Sequence, residues 1–491
     1  MWRSVDGHTS DKPTLSKGAS RTSATGQASM EVQTRKGLGR CAVASDDLER
    51  GYRFLEEEAT LYWETTGKEL LGILNAYASA STAERSRVDD LTSEIQTSSN
   101  GLESLIESWI EQLEIARQEG EVVHGDIRQD AIPILLKAHF NAHAVQRPDG
   151  ACLFPRGAML NHSCAPNSFY RCEAHTIQFF SNATIEKGKE LTAAYLDAMT
   201  MLKPTKCRQQ VLLLSKGFLC ECSRCLDTAP DKTRLVPCLG SSCEGTVHAG
   251  NHRLSPTGIP VITKWECTSC GVALDEKAQA DIETLEDSLY KHWEALDARL
   301  TQGTALAMKE VNEAIRNASK RLHPNHFITN LYRVLAIEVA AVRNEDRLQL
   351  ISHAFKYANW LYETFRGVPS NLLGTMTGAM AELFDRQTST IRAGLDVDRV
   401  LSIIKTVLPY AQIRYGEKAA YPKALGAVLQ RYAICSSLIC NNDGKLKRCG
   451  RCNSVAYCSR SCQVFHFKSQ GHRTDCAKIC EAREALAAIE H

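Results

Sequence analysis

Residues 157–167 read GAMLNHSCAPN, and residues 217–225 read GFLCECSRC. The second stretch places three cysteines at Cys220, Cys222 and Cys225. Three thiolates are one short of a closed structural zinc site, which takes four ligands. Cys164, in the first stretch, is the candidate for the fourth. A metal shared by segments so far apart in sequence would require the chain to fold Asn161–Cys164 against the 220–225 loop. Outward from this pair, IEKGKELTAAYLD spans 185–197 and KGLGRCAVASDDLERGYRFLEEE spans 36–58. CAVAS and YRFLEEE have strand composition and are separated by the turn-like DDLERG.

The chain has 491 residues, with 58 Lys+Arg against 57 Asp+Glu, a net charge of +1 that gives no global footprint for nucleic acid. Its 43% hydrophobic and 23% charged content is that of a folded globular protein and excludes a collagen or a wholly disordered chain. No stretch reaches the roughly 18 apolar residues of a membrane-spanning helix. The N-terminus has no apolar run of a secretory signal, so cytoplasm and/or nucleus is the expected location. The 20 cysteines then read as metal ligands in preference to disulfides.

Composition divides the chain. Residues 1–30 are rich in Ser, Thr, Gly and Lys and read as a disordered tail. From about 59 to 136 the pattern is helical, as in LLGILNAYA and LESLIESWIEQLEIA. Strand-like pieces return between 151 and 195, including TIQFFSN and KELTAAY. Residues 227–275 hold Cys238-x4-Cys243 and Cys267-x2-Cys270, two knuckles that read as a zinc ribbon. From 276 to 430 amphipathic helices follow one another, such as FITNLYRVLAIEVAAV and RVLSIIKTVLPYAQIRY. They suggest stacked, tetratricopeptide-like hairpins without a clean 34-residue signature. Residues 435–480 are again Cys-rich: Cys435-x4-Cys440, Cys449-x2-Cys452, Cys458-x3-Cys462 and His472-x3-Cys476 supply two tetrahedral sites. His466 lies nearby, but His472 is better spaced to Cys476. So small a segment would draw its folding energy from the metals.

The string CGRCNSVAYCSRSCQVFHFKSQGHRTDC (449–476) resembles the MYND zinc finger. The resemblance implies interleaved sites, Cys435, Cys440, Cys458 and Cys462 for one and Cys449, Cys452, His472 and Cys476 for the other. It also implies a proline-rich peptide as ligand. Two departures stand out: four residues inside the first pair where two are commoner, and Phe467 where the family has Trp. The finger is basic, through Lys445, Lys447, Arg448, Arg451, Arg460, Lys468, Arg473 and Lys478 against Asp443 and Asp475. That charge suits nucleic acid as a partner, but no aromatic stacking pattern accompanies it.

The ordered set GLG, NHSC, KGKELTAAY and CxCxxC resembles the SET domain of protein lysine methyltransferases, in the SET-and-MYND family. The implied fold is α+β: a β-rich SET core over 31–226 with inserted helices, a post-SET zinc region, a helical array and the terminal finger. The implied cofactors are S-adenosylmethionine and structural zinc at about four sites. The implied partner is a protein with an exposed lysine. By the same resemblance Lys36, Gly37, Leu38, Gly39, Asn161, His162, Tyr195 and Phe218 bind the cofactor, Tyr195 is the catalytic residue, and Cys164 completes the zinc with Cys220, Cys222 and Cys225. The NHSC segment should lie at a knot-like crossing.

Again there are departures. The family usually inserts its finger inside the SET domain, whereas residues 42–151 contain no cysteine and the finger is C-terminal. The family also commonly has an aromatic residue four positions before CxCxxC, lining the lysine channel. Here that residue is Lys216, a cation that would repel a protonated amine. If it did, the chain would be a weakly active or inactive scaffold binding peptides through its finger and helices.

Overall fold

The structure is a computed structural model. It describes residues 29–490 except 37–38, 66, 94–99, 147–148, 174, 198, 227–231, 241, 249–252, 255–259, 262–264, 344–346, 366–396, 434–435, 437–445 and 470–471. Gly37, Leu38, Cys435 and Cys440 therefore lie outside the described residues.

Small antiparallel sheets form the N-terminal half. Met30–Arg35 pairs with Gly39–Ala44, with Arg35 opposite Gly39. Gly39 has φ +68°, the left-handed conformation a short hairpin loop needs and a side chain resists. Arg53–Glu58 pairs with Thr176–Ser181, which also pairs with Ser168–Glu173. Leu61–Glu64 and Ala142–Gln146 flank Asp149–Leu153. Phe54, Leu55, Ile177 and Phe179 of these strands are buried in one cluster with Phe154, Leu160, Leu191 and Ala193. The strand Gly39–Ala44 is tied to the approach to Tyr195: Leu191 N–H donates to Ala42 O at 2.8 Å, and Ala44 N–H to Lys189 O at 2.9 Å.

The insertion begins later than its sequence suggests. LYWE, at 61–64, is a strand: its backbone pairs antiparallel with Asp149–Leu153, and Leu61 and Trp63 turn into the cluster the helices form. Helices follow at Glu69–Ser79, Thr82–Asp89, Asn100–Gln118 and Ile132–Asn141. They close a separate apolar cluster around Trp63, Trp109, Leu113 and Leu135.

Helices Glu276–Thr301, Phe327–Arg343, Arg347–Thr364 and Val397–Tyr415 stand where the sequence pattern puts them, and Met308–Arg321 and Ala420–Ala433 join them. They share one core, including Tyr332, Tyr357 and Trp360. The array reaches the sheets directly. Arg50 donates to Thr406 O at 3.0 Å, Arg171 to Ile413 O at 3.3 Å, and the Phe169 and Tyr410 rings lie 4.7 Å apart. Among the described residues no helix is long and apolar enough to cross a membrane.

Candidate active site and zinc centres

Asn161–His162 and Thr192–Ala193 pair in parallel, and Ser163 N–H donates to Ala193 O at 2.9 Å. This pairing sets NHSC beside the strand that delivers Tyr195. The turn before it is fixed by a carboxylate: Glu57 accepts the N–H groups of Arg156 at 3.0 Å and Gly157 at 2.8 Å. Burial pushes the Glu57 carboxyl up, against those bonds.

Three aromatic rings meet here. His162 and Tyr195 are 5.4 Å apart, His162 and Phe218 6.3 Å, and Tyr195 and Phe218 meet edge-on at 6.4 Å. Phe218 gets there because Gly217, at φ +68°, caps the helix Thr205–Lys216 and reverses the chain. Tyr195 is 37% exposed, yet its hydroxyl turns inward and donates to Leu160 O at 2.7 Å. Burial, helped by the charge of Glu190, raises its pKa, so the phenol is neutral at physiological pH. Asn161 Nδ2 donates to Glu190 Oε1 at 2.9 Å. Lys36 is exposed beside the hairpin, and a Cβ built on Gly39 would meet nothing within 4 Å.

Lys216 is not in this aromatic group. Its Nζ donates to His139 O at 2.6 Å and Phe140 O at 3.3 Å, near the C-terminal end of the helix Ile132–Asn141. A cation there meets the negative end of the helix dipole. Burial pushes its ammonium down to about 8. The expectation of a cation repelling the substrate amine is corrected: Lys216 fastens the inserted helices to the post-SET segment.

The ligand atoms of Cys164, Cys220, Cys222 and Cys225 all lie within 4.8 Å of one another. Two cations attend them. Arg208, 1% exposed, donates to Thr205 Oγ1 at 3.0 Å and reaches Cys225 Sγ at 3.7 Å. Arg224 donates to Cys164 O at 3.2 Å and Met201 O at 2.8 Å, and its guanidinium lies 4.8 Å from the Phe365 ring. A guanidinium is not buried against neutral thiols without large cost. Four thiolates on a divalent ion carry a net negative charge that offsets it, so the donor set fits zinc.

Cys238, Cys243, Cys267 and Cys270 make a second such group. Knuckle N–H groups of Gly240, Gly245 and Ser269 point at Cys238, Cys243 and Cys267 at 3.3–3.4 Å. N–H groups of Cys270 and Ser269 lower Cys267 to about 6, ready for a metal. Cys449, Cys452, His472 and Cys476 form the third, fully buried group, with His472 Nε2 3.7 Å from Cys452 Sγ. His466 stacks on His472 at 5.1 Å and bonds the Tyr457 hydroxyl through Nδ1, so it stands behind the ligand. Cys458 and Cys462 are 3.7 Å apart, and their expected partners Cys435 and Cys440 lie outside the described residues.

Family comparison matches residues 39–196 to the SET domain and 434–476 to the MYND finger. The chain carries a SET domain and a C-terminal MYND finger. It is 31% identical over 106 residues to the SET domain-containing protein L678 of Acanthamoeba polyphaga mimivirus, covering 22% of this chain and 40% of that one. It is 32% identical over 126 residues to SmydA-8, isoform B, of Drosophila melanogaster, covering 24% and 25% of the two chains. Against the N-lysine methyltransferase SMYD2 of Gallus gallus it is 30% identical over 118 residues, covering 23% and 26%. The chain thus matches less than half the length of each of these relatives. A structure of Rubisco LSMT bound to AdoMet overlaps 74% of this chain and 90% of that one at 12% identity and a TM-score of 0.29, a score that carries no argument.

Three residues of the SET region were not singled out by sequence reading. Arg208 sits in an amphipathic helix, where an Arg reads as solvent-facing. Glu57 and Glu190 lie in short motifs whose neighbours drew attention first, and each acts through a hydrogen bond that no local spacing encodes.

Proposed function

We propose that the chain is a protein lysine N-methyltransferase using S-adenosylmethionine. The observation that carries this reading is the meeting of His162, Tyr195 and Phe218 beside the Cys164 cluster, with the Tyr195 hydroxyl fixed on Leu160 O. S-adenosylmethionine supplies the methyl group, which passes in line from its sulfonium to the amine nitrogen, leaving S-adenosylhomocysteine. Lys36, Gly39, Asn161 and His162 would bind the cofactor, as the resemblance implies, together with Gly37 and Leu38, which lie outside the described residues. The aromatic rings suit a sulfonium, since a cation is drawn to their π faces.

Tyr195 is the catalytic residue. Its proton is committed to Leu160 O, so the phenolic oxygen offers lone pairs to an amine N–H. That leaves the nitrogen lone pair free to meet the methyl. Holding the two reactants in line is the main source of acceleration in such a site. No side-chain base is required, because desolvation and a neighbouring positive charge both favour the neutral amine. Phe218 helps to form the lysine channel or the cofactor pocket, its ring 6.4 Å from that of Tyr195. The acceptor is a lysine on another protein. A proline-rich peptide on the finger, and residence in cytoplasm and/or nucleus, belong to the same reading.

This reading divides the chain into a tail (1–30), a SET unit with post-SET cysteines (31–226), a zinc ribbon (227–275), a helical array (276–430) and the finger (435–480). The scaffold alternative drew on Lys216, and the contacts of that residue with His139 O and Phe140 O remove its motive. The test is transfer of radiolabelled methyl from S-adenosylmethionine to cell extract and core histones. Label on protein that Tyr195→Phe abolishes supports the reading. A folded, zinc-loaded chain that transfers none contradicts it.

A further inference from the structure

We propose that His162 is a positioning residue that ties the Cys164 metal site to the backbone of Tyr195. Its two ring nitrogens do different work. Tyr195 N–H donates to His162 Nδ1 at 2.9 Å. A backbone N–H can only donate, so Nδ1 is the acceptor. In the neutral imidazole the proton then sits on Nε2. Nε2 faces Cys164 Sγ at 3.3 Å, so N–H donates to the sulfur. One side chain, 9% exposed, thereby spans from metal ligand to catalytic backbone.

The surroundings leave it little freedom. Phe218 and Tyr195 flank the ring at 6.3 and 5.4 Å. Cys164 N–H in turn donates to Cys222 Sγ at 3.3 Å, so the peptide carrying His162 is itself held by the cluster. A donor to a metal-bound thiolate drains charge from the sulfur and fixes its direction. Loss of such an outer partner typically lowers metal affinity about 10–100-fold. At the other end, loss of the Nδ1 acceptor would free the Tyr195 backbone, and misplacement of a reacting group by about 1 Å can cost about 10²-fold in rate. The His162 ring thus links an intact Cys164 cluster to a correctly aimed phenol.

The part concerning Tyr195 rests on the methyltransferase reading, and the part concerning Cys164 does not. Two substitutions separate the two ends. His162→Asn keeps an acceptor near the Nδ1 position and removes the donor to sulfur. His162→Gln keeps a donor near the Nε2 position and removes the acceptor. The full-length chain is loaded with cobalt, and metal transfer to a chelator is followed alongside the thiolate-to-cobalt charge-transfer band. Cys164→Ser identifies the phase that belongs to this cluster. His162→Asn should speed that phase about 10-fold or more and move the band to lower energy. His162→Gln should keep the wild-type rate and band. With zinc-loaded protein, His162→Gln should lower kcat more than His162→Asn does, because Asn keeps an acceptor for the Tyr195 N–H. Wild-type release and an unmoved band in His162→Asn would overturn the proposal, as would equal effects of both variants on release. If wild type transfers no methyl, the methyltransferase reading fails, and the release data alone still judge the bond to Cys164.

Discussion

A buried ion group lies at the joint between the zinc ribbon and the helical array, beside the apolar core the two share. Arg234 Nε donates to Glu286 Oε1 at 2.7 Å and its Nη2 to Oε2 at 2.6 Å, while His326 Nε2 lies 2.9 Å from Oε1. The Arg234 guanidinium also stacks 4.5 Å from the Trp265 ring. Side-chain exposure is 8% for Arg234, 10% for Glu286 and 0% for His326. Burial opposes ionisation of Glu286, but the Arg234 charge and the His326 bond outweigh it and hold the carboxyl down at about 2. Against its ordinary 4.5, that depression corresponds to about 3 kcal/mol. The sign follows from a lowered acid: the stabilisation is complete above about pH 4.5 and is lost as pH falls towards 2. Stranding one partner of a buried pair costs about 3–5 kcal/mol by a separate route. Both routes predict that Glu286→Gln at pH 7 destabilises the zinc-loaded chain by about 3 kcal/mol. With a slope of about 2 kcal/mol per molar urea, the midpoint of the far-UV transition falls by about 1.5 M. Adding Arg234→Met removes the stranded cation and should restore part of the loss. A drop under about 0.5 M for the single variant, or a double variant worse than the sum of the two singles, would refute the reasoning.

Lys216, lowered from 10.5 to about 8 by burial, binds its proton more weakly folded than unfolded. The stability of the wild type should therefore rise by about 3 kcal/mol relative to Lys216→Met between pH 8 and 10.5, read as paired urea midpoints. Cys164→Ser should remove one equivalent of bound zinc by elemental analysis and abolish methyl transfer, whereas Cys480→Ser should leave the zinc count unchanged. Tyr195→Phe should lower kcat about 10²-fold or more while calorimetry gives S-adenosylmethionine binding within about 3-fold of wild type.

The motifs that specify the site were legible because metal geometry and tight turns force residue types into short spacings. Cys220-x-Cys222-x2-Cys225, the knuckle Cys449-x2-Cys452 and Gly39 are local signals, and the structure gathers the cysteines of three clusters as their spacing suggested. What the sequence did not reveal depends on direction in three dimensions. Lys216 stood at the position of a channel residue, but its side chain follows the last turn of Thr205–Lys216 to the carbonyls of a distant helix. LYWE reads as part of a helical stretch because four residues are too few to show alternation. Only pairing with Asp149–Leu153, far along the chain, makes it a strand. Arg208 reads as a surface cation until the Cys225 sulfur is placed beside it. The choice of His472 over His466 was legible in its spacing to Cys476, and the structure places His472 with Cys449, Cys452 and Cys476.

The central claim is that Tyr195 and its aromatic neighbours direct a methyl group onto a lysine amine. The most direct test incubates the zinc-loaded chain with S-adenosylmethionine and a labelled acceptor protein, then maps the product by mass spectrometry while S-adenosylhomocysteine is quantified. The account predicts methyl-lysine, one S-adenosylhomocysteine for each methyl added, and both products reduced about 10²-fold or more with Tyr195→Phe. Methyl groups found on another residue type, or undiminished methyl-lysine with Tyr195→Phe, would contradict it.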